Sequence, residues 1–151
     1  MTRVIVLDSG PLGLVTNPKA NPDSLACNLW LENWLDAEAH VLIPGIADYE
    51  VRRELIRANK RAGLQRLDDF RQALEFVPIA QEALFRAADL WAAVRQQGKQ
   101  TASDKALDGD VILAAQVLTL DPLPADVVVA TTNPGHLARF IAAEEWSKIV
   151  P

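Results

Sequence analysis

The chain is expected to fold as an α/β protein, a three-layer α/β/α sandwich on a central parallel sheet of four to five strands. Three observations lead there. Val4–Ile5–Val6–Leu7 is an unbroken run of β-favouring apolar residues, and Val127–Thr131 is a second. A strand without polar alternation is covered on both faces, as in the middle of a parallel sheet. Helical apolar spacing fills the stretches between strand-like segments, and parallel strands need such crossovers. Both runs also stop on polar residues, Asp8–Ser9–Gly10–Pro11 and Thr132–Asn133–Pro134–Gly135. Open α/β sheets bind ligands just beyond the carboxyl ends of their strands.

In chain order, Gly10–Val15 reads as a short helix, and Thr16–Asn17–Pro18 with Asn21–Pro22 as a loop. Asp23 or Ser24 is placed to cap a helix running to about Ala39, with Leu25, Leu29, Trp30 and Trp34 on its apolar side. His40–Ile43 is a second strand, stopped by Pro44–Gly45. Ile46 to about Ala62 is a helix whose buried stripe is Ala47, Val51, Leu55 and Ala58. Leu64–Leu74 is a further helix, and Glu75–Ile79 a strand interrupted by Pro78. Gln81–Gln97 is amphipathic, with Leu84, Ala87, Ala88, Trp91 and Val94 inward, and Gly98 ends it; Trp91 is expected in the core. Lys99–Leu107 is a polar approach to a helix from Asp108 to about Leu118. After the turn at Asp121–Pro124 and the strand Val127–Thr131, a short helix near His136–Ala143 and a strand at Lys148–Val150 close the chain.

At 151 residues the chain is expected to be one domain, 1–151. It is half hydrophobic and under a quarter charged, which excludes a disordered or low-complexity chain. No apolar run approaches the ~20 residues of a membrane span, and Met1–Thr2–Arg3 leads straight into the first strand without a signal peptide. The single cysteine, Cys27, falls in a helical pattern with Trp30 and Leu31 and reads as packing. A reducing, cytoplasmic setting is expected. The net charge of −5 argues against a bulk nucleic-acid binder. It does not argue against a metal-dependent nuclease, whose centre is itself acidic.

Acidic and amide side chains sit at the places where this topology converges. Asp8 ends the first strand, and Glu50 lies in the first turns of the helix after the second. Asp108 and Asp110 open the helix that precedes the fourth strand, and Asn133 follows that strand. Two carboxylates ~4 Å apart repel by about 4 kcal/mol at an effective dielectric of 20. Either one is protonated or a hard cation compensates. Oxygen donors suit Mg²⁺ or Mn²⁺, and the chain has no His–Cys set for zinc. Such a centre lowers the pKa of a bound water and clamps a phosphoryl oxygen, the chemistry of phosphodiester hydrolysis.

Across essentially its whole length the chain resembles the PIN domain, and specifically the VapC-like toxin ribonucleases of toxin–antitoxin pairs. The resemblance rests on Val-Leu-Asp-Ser at 6–9 and Ile-Ala-Asp-Tyr-Glu-Val-Arg-Arg-Glu-Leu at 46–55. It continues in Asp-Val-Ile-Leu-Ala-Ala at 110–115 and Ala-Thr-Thr-Asn-Pro-Gly-His-Leu at 130–137. Each motif is short; their order and spacing carry the specificity. The resemblance implies a Mg²⁺- or Mn²⁺-dependent endoribonuclease with Asp8, Glu50, Asp110 and Asn133 as its catalytic set, the first three holding the metal. It also implies an RNA substrate, a small antitoxin partner and a homodimer. Many relatives have aspartate where this chain has Asn133, which can hold a water but supplies neither charge nor a base. Asp108 and Asp104 are accessory acids able to supply charge.

Simpler structural roles are open to the same residues. Asp8 can cap the following helix, Glu50 can pair with Arg53, and Asp110, Asp108 and Asp104 are helix-start acids. Asn133 is a natural turn residue before Pro134–Gly135. Ser9 either hydrogen-bonds within the acidic site or caps the next helix. Arg52, Arg53 and Arg57, with Lys60 and Arg61, are candidates for RNA phosphate contacts, or a solvated face, or the counter-charge to the acids. His136 is a leaving-group assistant or a surface histidine. Two functional rivals remain: a PIN-fold protein-binding scaffold, and a haloacid-dehalogenase-like phosphatase. The latter expects an acid two residues after Asp8, where this chain has Gly10.

Overall fold

A computed structural model describes residues 2–98 and 104–151, with side chains for 2–98 and 106–151. Five parallel strands line up in the order β3–β2–β1–β4–β5. They are β1 (Val4–Leu7), β2 (His40–Pro44), β3 (Glu75–Val77), β4 (Val127–Thr131) and β5 (Ala143–Glu145). The helices are α1 (Ser9–Thr16), α2 (Pro22–Asp36), α3 (Gly45–Arg57), α4 (Arg61–Ala73), α5 (Gln81–Gln96) and α6 (Asp104–Leu118). This is the expected three-layer sandwich.

The central strand shows why its sequence lacks alternation. Ile5 and Leu7 enter one core with Trp30, Trp34, Val41 and Ile43, while Val4 and Val6 enter another with Leu42, Leu113, Val117 and Val129. Both faces are covered, by α2 on one side and α6 on the other. A third apolar cluster joins α5 to α6 through Ala83, Ala87 and Val94 against Leu107, Val111 and Ala115. Cys27 is fully buried and its thiol is pushed up to about 12 by burial and by the nearby charge of Glu145, so it is packing. No helix among the described residues is long and apolar enough to cross a membrane.

Several element boundaries differ from the sequence reading. The helix expected over 46–62 ends at Arg57 because Asn59 takes a left-handed φ of 55°, and α4 restarts at Arg61. The cap of α2 is Asn21, whose side-chain oxygen accepts from the Ser24 amide at 2.9 Å, with Pro22 in the first turn. The buried stripe of α2 is Cys27, Trp30, Leu31 and Trp34, while Leu25 and Leu29 face solvent. In α3 only Ala47 and Val51 of the expected stripe are buried. β3 stops at Val77, before Pro78, which has no amide for the ladder. The last strand is Ala143–Glu145, with a 3₁₀ turn at Trp146–Lys148 where Lys148–Val150 was expected. The short helix near 136–143 shrinks to the 3₁₀ turn Leu137–Arg139. Trp91 is 37 % exposed and carries the Arg95 guanidinium 5.3 Å from its ring centre, so it is not core. Residues 99–103 of the expected polar approach lie outside the described residues.

One buried amide ties three elements together. The Gln116 side-chain oxygen accepts from the Ile46 amide at 3.1 Å, while its nitrogen donates to the carbonyls of Val77 (2.9 Å) and Pro78 (3.2 Å). It thus satisfies one of the free amides that every helix start leaves over, and it sets where α3 begins relative to α6. Gln116→Leu would leave those groups buried without partners. A loss of about 2 kcal/mol in unfolding free energy, read from urea titration, is the expected outcome.

Candidate active site

Asp8 sits at the carboxyl end of the middle strand, half-buried, and both carboxylate oxygens are held. Oδ1 accepts from the Ser9 backbone amide at 2.8 Å, and Oδ2 accepts from the Thr131 hydroxyl at 2.7 Å. The capping role of Asp8 is therefore real, but it occupies only part of one oxygen. Ser9 enters through its backbone. Thr131 is buried at the end of β4, in register just beyond the Leu7–Ala130 pair, and its own oxygen receives the Asn133 amide at 3.2 Å. Sequence reasoning passed over Thr131. The available signal was a hydroxyl ending a strand that pairs in parallel with the one bearing Asp8.

Glu50 reaches the same place from the second turn of α3, whose start Gln116 fixes. Asp110 comes from α6. That helix begins at Asp104, so Asp108 and Asp110 lie in its second turn and do not open it, as the sequence suggested. Gly109 lets the two helices meet: a Cβ there would stand 3.1 Å from Glu50 Oε2. Gly10 plays the same part beside β4, where a Cβ would fall 2.6 Å from the Thr132 side chain.

The three acids act on one another electrostatically. Burial raises the Asp8 carboxyl pKa, an effect opposed by the hydrogen bonds from Thr131 and Ser9. Glu50 is raised by burial, then by the charges of Asp8 and Asp110, with Arg53 partly offsetting them. Asp110 is raised by burial and by Asp8, and relieved by His136 and Arg139. All three are thus desolvated carboxylates, and Glu50 and Asp110 also face like charge, features a hard cation would offset. Among the described residues, no group of three or more Asp, Glu, His or Cys side chains is arranged to hold a metal ion.

The remaining candidates separate clearly. The Asn133 side-chain oxygen accepts from the Gly135 amide at 3.3 Å, a local turn, and the residue is exposed. It meets the site through its backbone amide on Thr131. Asp108 is exposed at the rim, and the Asp104 side chain lies outside the described residues. Arg52 is committed elsewhere, donating to Asp48 at 2.9 and 3.1 Å and to Asp68 at 2.9 Å. Arg57 is exposed and paired with Glu54 at 2.8 Å. Of the three, Arg53 is the one beside the acids. His136 and Arg139 bring positive charge to Asp110 and oppose the rise in its pKa, and Arg139 was not anticipated.

Glu50 opens into a cleft with two lobes that share Glu50, Arg53 and Glu54. One, of 520 Å³, runs between α1 and α3 past Ser9, Gly10, Arg57 and Lys60. The other, of 430 Å³, runs between α3 and α6 past Tyr49, Asp108 and Gly109. Both lie within the ~300–1,000 Å³ range of ligand pockets.

No family model matches the chain, and no curated protein matches it significantly. Solved structures do. A chain of VapBC2 from Rickettsia felis, bound to a DNA fragment from its promoter, superposes with a TM-score of 0.69 at 20 % identity, covering 95 % of this chain and 98 % of that one. A chain of VapBC-1 from nontypeable Haemophilus influenzae gives 0.66 at 11 %, covering 96 % and 99 %. FitAcB from Neisseria gonorrhoeae gives 0.65 at 18 %, with the same coverage of 96 % and 99 %. The chain therefore has the PIN-like three-layer fold found in these VapBC structures.

Proposed function

We propose that this chain is a Mg²⁺- or Mn²⁺-dependent endoribonuclease that serves as the toxin of a toxin–antitoxin pair. The observation that carries the reading is the proximity of Asp8, Glu50 and Asp110, from a strand and two helices: burial raises all three carboxyls, and the charge of Asp8 raises Glu50 and Asp110 further. In this reading Asp8, Glu50 and Asp110 hold the ion, directly or through its waters. When bound, the ion supplies an activated water and offsets the charge that develops on the phosphoryl oxygens. The chain's own work is positional. Thr131 and the Ser9 amide fix the Asp8 carboxylate, Gly109 admits Glu50 against α6, and Arg53 sits where a phosphate flanking the cleaved bond would pass. The fold shared with VapBC chains supports a small antitoxin partner, and homodimer formation belongs to the same proposal.

Incubation of the purified protein with an RNA panel, with and without Mg²⁺ or Mn²⁺, tests this directly. Cleavage that needs the divalent ion is expected. Absence of cleavage under every ion would end the nuclease reading. The scaffold alternative draws on the Asn133 oxygen being turned into its own loop. Calorimetric titration with Mg²⁺ separates the two, because a scaffold needs no binding isotherm.

The Thr131 hydroxyl that donates to Asp8 carries a prediction of its own. Thr131→Val keeps shape and burial but removes the hydroxyl from Asp8 Oδ2. Loss of such an outer partner typically costs ~10–100-fold in metal affinity. The same titration should show a weakening of that order, with Thr131→Ser restoring most of it.

A further inference from the structure

We infer that Tyr49 is the plate on which a base next to the cleaved bond stacks when a single-stranded substrate occupies the cleft; this deepens the ribonuclease reading and rests on it. Tyr49 is the only tyrosine of the chain and directly precedes Glu50 on α3. It is 54 % exposed, so the core does not explain it. Its ring lines the 430 Å³ lobe, with Ile46 and Ile112 as apolar neighbours and Glu50 at the shared edge. Gly109, on the opposing helix, contributes no side chain to that wall.

The Arg53 guanidinium lies 5.0 Å from the centre of the Tyr49 ring. This cation–π contact orders the ring and holds a positive charge where the lobes join. An aromatic plate beside a cation is the arrangement by which single strands are held: the ring takes a base, the cation takes backbone phosphate. Lys60, exposed along the other lobe, continues the positive path. The alternative substrate shape fits poorly. In an A-form duplex the base faces are occupied by their neighbours, and proteins read mainly its backbone and minor groove. Tyr49 would find no face to stack on.

The test uses the Asp8→Asn protein, to prevent cleavage, and a short RNA carrying 2-aminopurine, whose fluorescence is quenched on stacking. Binding of the single strand, with quenching, should exceed binding of the same sequence as a duplex. Tyr49→Leu should weaken single-strand binding by about tenfold and relieve the quenching, while Tyr49→Phe should keep both. In the protein with Asp8 intact, Tyr49→Leu should raise KM and leave kcat largely unchanged. Tyr49 is exposed, so melting temperature should not move. If RNA is bound and cut but Tyr49→Leu changes neither affinity nor quenching, or duplex is bound equally well, the stacking inference fails alone. If no RNA is bound or cut by any form, the ribonuclease reading fails and takes this inference with it.

Discussion

Asp8→Asn should abolish RNA cleavage, by roughly 10³-fold or more, while raising the melting temperature of the metal-free protein. The activity loss follows from the position of Asp8 at the hub of the acid cluster: its charge acts on both Glu50 and Asp110. Losing an ion ligand there forfeits several kcal/mol of transition-state stabilisation, and each 1.36 kcal/mol is a factor of ten in rate. The gain in stability has the same origin. The carboxyls of Asp8, Glu50 and Asp110 are all raised above their ordinary values of about 4, so their charged forms are disfavoured by folding. For groups raised in the folded state, the stabilising contribution is present below the unfolded pKa and is lost as pH rises through the folded one. Without divalent ions, wild-type melting temperature should therefore fall more steeply than that of Asp8→Asn as pH rises above the ordinary carboxyl value of about 4. Excess Mg²⁺ should close the gap, because an ion that binds only the folded state stabilises it by mass action. A neutral variant that melts lower than wild type throughout this pH range would show that Asp8 serves the fold and not a charged centre.

The centre of the fold was legible because physics constrains it on both sides. Val4–Leu7 had to be buried on two faces, and a strand so placed delivers the residue after it, Asp8, to the sheet edge. Glu50 followed from the same topology. Asp110 was found, but its helix started a turn earlier than expected. What escaped the sequence were contacts made across elements. Thr131 is an ordinary hydroxyl until the β1–β4 register sets it beside Asp8, and Gly109 is an ordinary helix glycine until α3 lies against it. The phase of α2 was misread for a related reason. Leu25 and Leu29 fit a helical stripe as well as Cys27 and Leu31 do, and only packing against α1 and the C-terminal segment chooses between them. That choice is visible in the Trp30 and Trp34 indoles, which donate to the Ile149 carbonyl at 2.7 and 3.1 Å.

The basic run on α3 shows how similar residues receive different work, and Arg52 yields the largest expected loss of stability. Its guanidinium grips Asp48 with two parallel hydrogen bonds and reaches across to Asp68 on α4. Asp48 is only 6 % exposed, so Arg52 is what makes its charge tolerable inside the protein. The partners in turn hold the guanidinium firmly protonated, chiefly through the Asp48 hydrogen bonds. Arg52→Met would strand a buried carboxylate. Breaking such a pair from one side costs about 3 kcal/mol, which for a domain this size lowers the melting temperature by roughly 6–12 °C. Adding Asp48→Leu to Arg52→Met should recover part of that loss, since the stranded charge is then gone too. A phosphate-gripping Arg52 would behave in the opposite way, with an unchanged melting temperature and a weaker, less salt-sensitive affinity for RNA. Arg53, exposed beside Glu50 and stacked on Tyr49, is the residue expected to show that second pattern. Thermal melts and salt-dependent binding of the two single variants, run side by side, assign each arginine to its role.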